Sequence, residues 1–209
     1  MLGSDAYGDI LLELVRQPIP INNYRNKAGS GRSQTFGVVN RRCLAPDYSR
    51  LCWQRPYLYK LLLDFGKKHV PADIPFTSIT VNQNYRADKH RDKGNVGRSY
   101  LVSFGPYTGG ELQIFEGDLS GCHNVRTPVI ADFSKIYHAV LPFTGDRYSL
   151  VYYVAKNSDG LPAPSVEQIE GKWVFKRGAE VVAGLPHPLR GRKKVPMTIV
   201  KCDAVVEFV

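Results

Sequence analysis

A histidine and an aspartate two residues apart, in the stretch Lys89-His90-Arg91-Asp92-Lys93-Gly94-Asn95, are residue types that bind divalent metals. Their spacing would put both side chains on one face of an extended strand. The pair alone is common enough to arise by chance. Further along, Tyr137-His138-Ala139-Val140 supplies another imidazole and runs into Gly145-Asp146-Arg147-Tyr148-Ser149-Leu150. Two imidazoles and one carboxylate hold one side of a six-coordinate ion and leave the other side open, the ligand set of mononuclear Fe(II) sites. His90, Asp92 and His138 are therefore the candidate metal ligands and catalytic residues. Each histidine taken singly is better explained by a hydrogen-bonded structural role. The Arg-x-Ser that follows changes that balance: on the strand after the turn at residues 143–146, Arg147 can point into the same interior as His138. A guanidinium there can clamp a carboxylate with two parallel hydrogen bonds, and Ser149 shares its face.

These residues need a rigid scaffold, and the chain reads as mainly β. Residues 76–86 alternate, with Ile79, Val81, Gln83 and Tyr85 on one face and Thr80, Asn82, Asn84 and Arg86 on the other. A polar inner face suits a barrel that encloses a polar ligand, which makes Asn82 and Asn84 candidates for its lining. Short strands follow at 99–104, 111–115, 129–133, 137–141 and 147–154, a spacing that predicts a sandwich or jelly roll. Residues 8–16 read as a short helix capped by Asp9 and stopped by Pro18. Residues 56–70 read as a scaffold helix, with Pro56 in its first turn and Tyr57, Leu58, Leu61, Leu62 and Phe65 as its apolar face. Residues 22–42, rich in glycine and basic side chains, predict loop or short strand. Residues 165–177 are open between helix and strand, 184–196 read as a loop and 198–209 as a strand.

With the motifs in view, residues from about Thr77 to Val154 resemble the double-stranded β-helix core, cupin-like, of the 2-oxoglutarate- and Fe(II)-dependent dioxygenases, most closely the TET/JBP nucleic-acid base oxygenases. The matching features are His90-Arg91-Asp92 followed by Asn95, the turn and strand Tyr107-Thr108-Gly109-Gly110-Glu111-Leu112, and the run from His138-Ala139 to Arg147-Tyr148-Ser149-Leu150-Val151-Tyr152. The resemblance implies Fe(II) held by His90, Asp92 and His138, and 2-oxoglutarate held at its distal carboxylate by Arg147 and Ser149, with Asn84 a further co-substrate candidate. It implies oxidation of a pyrimidine methyl group, 5-methylcytosine or thymine, in DNA, with ascorbate a candidate accessory. Asn95 and Arg91 become candidate substrate contacts, although Asn95 equally suits a turn. A methyl on a duplex base must be brought to the metal, so base flipping is expected. The alternatives are the same iron chemistry on a protein side chain, an RNA base or a small molecule, and a non-catalytic β-barrel module that binds nucleic acid.

Charge bears on the partner. The net charge is +9 over 209 residues, and the excess lies in the flanks. Residues 1–77 hold 11 Lys and Arg against 6 Asp and Glu, residues 78–160 hold 9 against 8, and residues 161–209 hold 8 against 5. A near-neutral centre between basic flanks suits a polyanion. The cysteine-rich zinc module of some larger family members is absent from this sequence, so DNA contacts are expected from Arg32 and from Arg190, Arg192, Lys193 and Lys194, each of which also reads as part of a solvated loop. Cys43, Cys52, Cys122 and Cys202 are scattered, which predicts reduced thiols. The N-terminal residues lack a secretory pattern and no apolar run reaches the roughly 18 residues of a membrane span, so an intracellular location is expected. The expected organisation is one oxygenase domain: a basic flank with scaffold helices at 1–76, the β-helix at 77–154 and a basic extension at 155–209. No protein partner can be read from the sequence.

Overall fold

The computed structural model describes residues 6–21, 29–40 and 44–178. The basic cluster Arg190, Arg192, Lys193 and Lys194, the strand expected at 198–209, Cys43 and Cys202 lie outside the described residues.

Helix α1 (Gly8–Arg16) leads to the long strand β1 (Gly29–Val39), the short β2 (Asp47–Tyr48), and helices α2 (Leu51–Gln54) and α3 (Pro56–His69). Then come β3 (Ser78–Ala87), β4 (Asn95–Phe104), β5 (Tyr107–Gly109), β6 (Leu112–Ile114), β7 (Gly121–His123), β8 (Val129–Ala131), β9 (His138–Val140), β10 (Phe143–Gly145) and β11 (Tyr148–Ala155). A hairpin of β12 (Pro164–Ile169) and β13 (Lys172–Arg177) closes the described chain. The major sheet runs β2-β1-β3-β11-β4-β8; facing it are the three-stranded sheet β7-β6-β9 and the pair β10-β5. Every pairing is antiparallel. This is the jelly roll expected from the strand spacing, and the double-stranded β-helix that the resemblance implies.

Strand β11 lies between β3 and β4 and is buried along nearly its whole length. Burial on both faces explains why its sequence, Tyr-Ser-Leu-Val-Tyr-Tyr-Val-Ala, shows little polar alternation. Its outward residues meet α3. The Tyr152 hydroxyl donates to the Leu62 carbonyl at 2.8 Å, and the Tyr152 ring packs against Phe65 and Phe76. Leu58, Tyr59, Leu62, Phe65 and Gly66 are the buried positions of α3. Each large apolar side chain buried there contributes about 1.5–3 kcal/mol. The helix face is rotated from the one expected, since Tyr57 is exposed and rests on Trp173 of β13. That hairpin settles 165–177 as strand: Trp53, Tyr48 and Tyr59 gather around Phe175.

Two local expectations change. Asp9 is not the cap of α1; Tyr7 holds that position without a side-chain cap bond, and Asp9 sits inside the first turn, where its charge favours the helix dipole. The glycine-rich stretch forms an 11-residue strand, β1, with a bulge at Gly31. There the register jumps from Ser30↔Arg86 to Arg32↔Gln83, so Asn84 and Tyr85 of β3 stand opposite one residue. Gly31 takes φ +110°, and a Cβ on it would lie 2.0 Å from the Asn84 carbonyl oxygen.

That bulge alters the inner face of β3. Thr80 and Asn82 line the interior as the alternation expects; beyond the bulge Tyr85 and Ala87 take over, and Asn84 and Arg86 turn outward. One extra residue swaps the faces, because side chains alternate with period two.

Candidate metal centre

His90 follows β3 and is joined to β9 by a single antiparallel bridge, with His90 N donating to His138 O at 2.9 Å and His138 N to His90 O at 3.0 Å. Asp92 is not on a strand; its backbone N–H donates to the Phe133 carbonyl at 2.9 Å. So His90 and Asp92 converge from a bridge residue and a turn rather than from one strand face. One ligand atom from each of His90, Asp92 and His138 lies within 4.8 Å of the others, and His90 Nε2 is 3.3 Å from Asp92 Oδ1.

The histidine orientation is set from behind. His90 Nδ1 lies 2.7 Å from the Asp88 carbonyl, and His138 Nδ1 lies 3.2 Å from that of Ile136. A carbonyl only accepts, so each Nδ1 is the donor, which fixes the ring orientation and leaves Nε2 as the ring nitrogen turned to a metal. His138 is buried against the Phe133 ring, and burial lowers its pKa from the ordinary histidine value. The nearby Asp92 opposes that shift and His90 adds to it. Two imidazoles and a carboxylate form a donor set that fits Fe(II).

One cavity connects these residues with Arg147. Its walls include Thr80, Asn82, Tyr85, Asn95, Ser149 and Tyr153. Arg147 is 2% exposed, a burial almost unknown for an arginine without a partner. Its guanidinium stands 5.5 Å from the centre of the Tyr107 ring and 5.6 Å from that of Phe143. Among the described residues no carboxylate forms an ion pair with it, and its Nε has no hydrogen-bond partner. Burial pulls its pKa down from the ordinary arginine value; Tyr107 and Glu111 oppose this, and Arg126 adds to it. A desolvated cation with an unsatisfied donor is costly unless an anion arrives. This chamber therefore fits a small carboxylate. Ser149 is buried beside it, its Oγ accepting from Asn82 Nδ2 at 3.1 Å, while Asn82 Oδ1 is buried and unsatisfied.

Several expected site residues lie elsewhere. Asn84 is exposed, with φ 51°, and does not line the cavity. Its Oδ1 accepts from the Arg147 backbone N–H and its own N–H donates to the Arg147 carbonyl, both at 2.7 Å. Asn84 thus holds the strand that carries Arg147, and the bulge at Gly31 is the reason it is turned out. Arg91 does not line the cavity either; its guanidinium stacks 4.4 Å from the centre of the Tyr137 ring and donates to the Tyr137 hydroxyl at 3.3 Å. Arg32 Nη1 donates to the Ile19 carbonyl at 2.8 Å, tying the segment after α1 to β1. Asn95 does line the cavity. Tyr85 entered it without being anticipated, and the signal was Gly31 on the neighbouring strand. The roles of Tyr107 and Phe143 around Arg147 were also unanticipated; both belong to the β5–β10 pair, which the sequence shows only as two glycine-bearing turns.

No protein-family model and no curated protein matches this chain. Among solved structures, it is similar to one described as NgTET1 in complex with 5mC DNA, at 16% identity, over 76% of this chain and 71% of that one, with a TM-score of 0.52. Looser likenesses are to a 2OG-Fe(II) oxygenase family oxidoreductase from Burkholderia pseudomallei (16% identity, 68% and 75% covered, TM-score 0.45) and to a prolyl-4-hydroxylase from Pseudomonas putida (16%, 74% and 89%, 0.46). At TM-scores below 0.5 these two bear on nothing further. At its low identity the NgTET1 likeness speaks to architecture alone, and on that it is plain: the chain has the fold of NgTET1, in keeping with the jelly roll that the strand spacing predicts and the double-stranded β-helix that the resemblance implies.

Proposed function

We propose that this chain is an Fe(II)- and 2-oxoglutarate-dependent dioxygenase that oxidises the methyl group of a pyrimidine base, 5-methylcytosine or thymine, in DNA. The observation that carries the proposal is the pairing, in one cavity, of the His90–Asp92–His138 donor cluster with a buried Arg147 that forms no ion pair among the described residues. In this reading the donor cluster holds Fe(II). Arg147 takes the distal carboxylate of 2-oxoglutarate, Ser149 Oγ lies beside it, and Asn82 orients that hydroxyl. Bound together, Fe(II) and 2-oxoglutarate supply the oxidising chemistry: O2 delivers one oxygen atom to a substrate C–H bond and the other to succinate, with loss of CO2.

The remaining work falls to this chain's own residues. Arg147, stripped of water, binds one end of the co-substrate and so directs the other towards the ligand cluster in the same cavity. The Asp88 and Ile136 carbonyls hold the two Nδ1 atoms and so orient both rings with Nε2 as the nitrogen that takes the metal. The choice of a DNA base is supported by the His90-Arg91-Asp92-x-x-Asn95 string, by the basic flanks, and by the fold shared with NgTET1, whose structure holds 5mC DNA. A base reaching this cavity has to leave its stack.

The test is incubation of duplexes containing either 5-methylcytosine or thymine with Fe(II), 2-oxoglutarate and O2, followed by mass spectrometry of the nucleosides and measurement of succinate. The expected result is a hydroxymethyl nucleoside with matching succinate. Succinate without any oxidised nucleoside would move the substrate away from DNA. Failure to form succinate under any condition would overturn the oxygenase reading.

A further inference from the structure

The stretch Asp92-Lys93-Gly94-Asn95 is a four-residue turn, closed by the Asn95 backbone N–H donating to the Asp92 carbonyl at 2.9 Å. Such a turn brings the first and last side chains together, and here Asn95 Nδ2 donates to Asp92 Oδ2 at 3.2 Å. The other carboxylate oxygen, Oδ1, is the one 3.3 Å from His90 Nε2, within the ligand cluster. Asn95 is also the first residue of β4 and pairs with Ala155 of β11, so the amide is anchored to the major sheet. An ionised carboxylate can only accept hydrogen bonds, so the nitrogen end of the amide must be the end that meets it.

From this geometry we infer that Asn95 is a positioning residue for the metal centre: its amide engages one oxygen of Asp92 and so fixes which oxygen the aspartate presents to the metal. The inference rests on the metal reading above. It gives the Asp-x-x-Asn spacing a mechanical meaning apart from any contact with a substrate, because three residues are what one turn needs to bring the amide onto the carboxylate. A ligand carboxylate free to rotate can present either oxygen or both, and partners that restrict it are worth about 10- to 100-fold in metal affinity. Asn95 thus ties one ligand to the major sheet, while β9 carries another.

The experiment is anaerobic titration of the full chain with Co(II), a coloured stand-in for Fe(II), following its visible absorption in wild type, Asn95→Ala and Asn95→Leu. Leucine keeps the volume without the donor, so it covers the case in which alanine fails to fold. Thermal melts of the metal-free proteins identify the folded variants. The expected result is Co(II) affinity weakened by about 10- to 100-fold, with an altered absorption envelope, in a variant whose metal-free melt matches wild type. A bond that merely closes the turn would shift the melt and leave the Co(II) affinity and spectrum alone; that outcome overturns the inference while the metal reading stands. Wild-type protein that takes up no Co(II) overturns the metal reading, and this inference with it.

Discussion

Replacing Arg147 with methionine is expected to separate binding from stability in an unusual way. Its guanidinium is 2% exposed and has no carboxylate partner among the described residues. Before an anion binds, a buried charge of this kind lowers stability, and exchanging it for an apolar side chain of similar length is neutral or stabilising. Once 2-oxoglutarate is bound, the same charge is half of a buried ion pair, and removing it costs about 2–5 kcal/mol. Co-substrate affinity should therefore fall by roughly 30-fold to a few thousand-fold. A thermal-shift series with Fe(II) under anaerobic conditions reads both effects. At 100 times its Kd, 2-oxoglutarate stabilises the wild type by about 2.7 kcal/mol, roughly 5–10 °C for a chain of this size. At the same concentration the variant should gain no more than about 0.9 kcal/mol, roughly 2–4 °C, from a starting melt equal to or above that of wild type. A melt several degrees lower with unchanged affinity would refute the reasoning. Arg147 would then be a structural cation held by Tyr107 and Phe143.

The other expectations are shorter. Asp92→Ala should abolish Fe(II) uptake, measured by anaerobic equilibrium dialysis, because it removes one of three ligands and the charge that offsets the metal. Leu62→Ala removes a fully buried side chain of α3 and should lower unfolding stability in urea by about 2–5 kcal/mol. Gly31→Ala forces a positive-φ position and a Cβ 2.0 Å from the Asn84 carbonyl oxygen, so strain of at least about 1–3 kcal/mol should appear in the same assay. Replacing Arg190, Arg192, Lys193 and Lys194 with glutamine should weaken duplex DNA binding and lower its log–log salt slope by up to about 0.9 per lost phosphate contact. A slope equal to that of wild type would exclude the cluster from the interface.

The features legible in the sequence were those encoded by neighbours along the chain. His90 with Asp92, and Arg147 with Ser149, are two apart, so a local pattern could propose them; α3 shows its apolar stripe and its N-terminal proline within one window. What stayed hidden depends on partners distant in sequence. Alternation predicted Asn84 inside and Tyr85 outside, and both were reversed by a bulge whose cause, Gly31, sits on another strand. The motif points Arg91 at the substrate, yet its guanidinium is taken by Tyr137, which the His90–His138 bridge brings alongside. The stretch 165–177 carries an alternation too weak to choose between helix and strand. The choice is made by Tyr48, Trp53 and Tyr59, which surround Phe175 once the sheet and helices are assembled.

The same bulge links the two ends of the proposed chemistry. By turning Asn84 outward it sets the amide against the backbone of Arg147, which is held on both its N–H and its carbonyl at 2.7 Å. On the other side, Gly110 leaves room for the arginine to cross: a Cβ there would lie 2.9 Å from Arg147 Cδ and Nε. Arg147 is therefore gripped at its backbone by one strand irregularity and admitted at its side chain by a glycine between β5 and β6. By bringing Tyr85 and Ala87 inward, the bulge also puts them on the wall of the cavity that His90 lines, a few residues further along the chain. An irregularity in β3 thus shapes the wall of the one cavity that holds both Arg147 and the metal ligands. A regular strand at this point would place Asn84 in the cavity and leave Arg147 without its backbone anchor, which is the physical reason a pattern-based reading of β3 fails where the site is built.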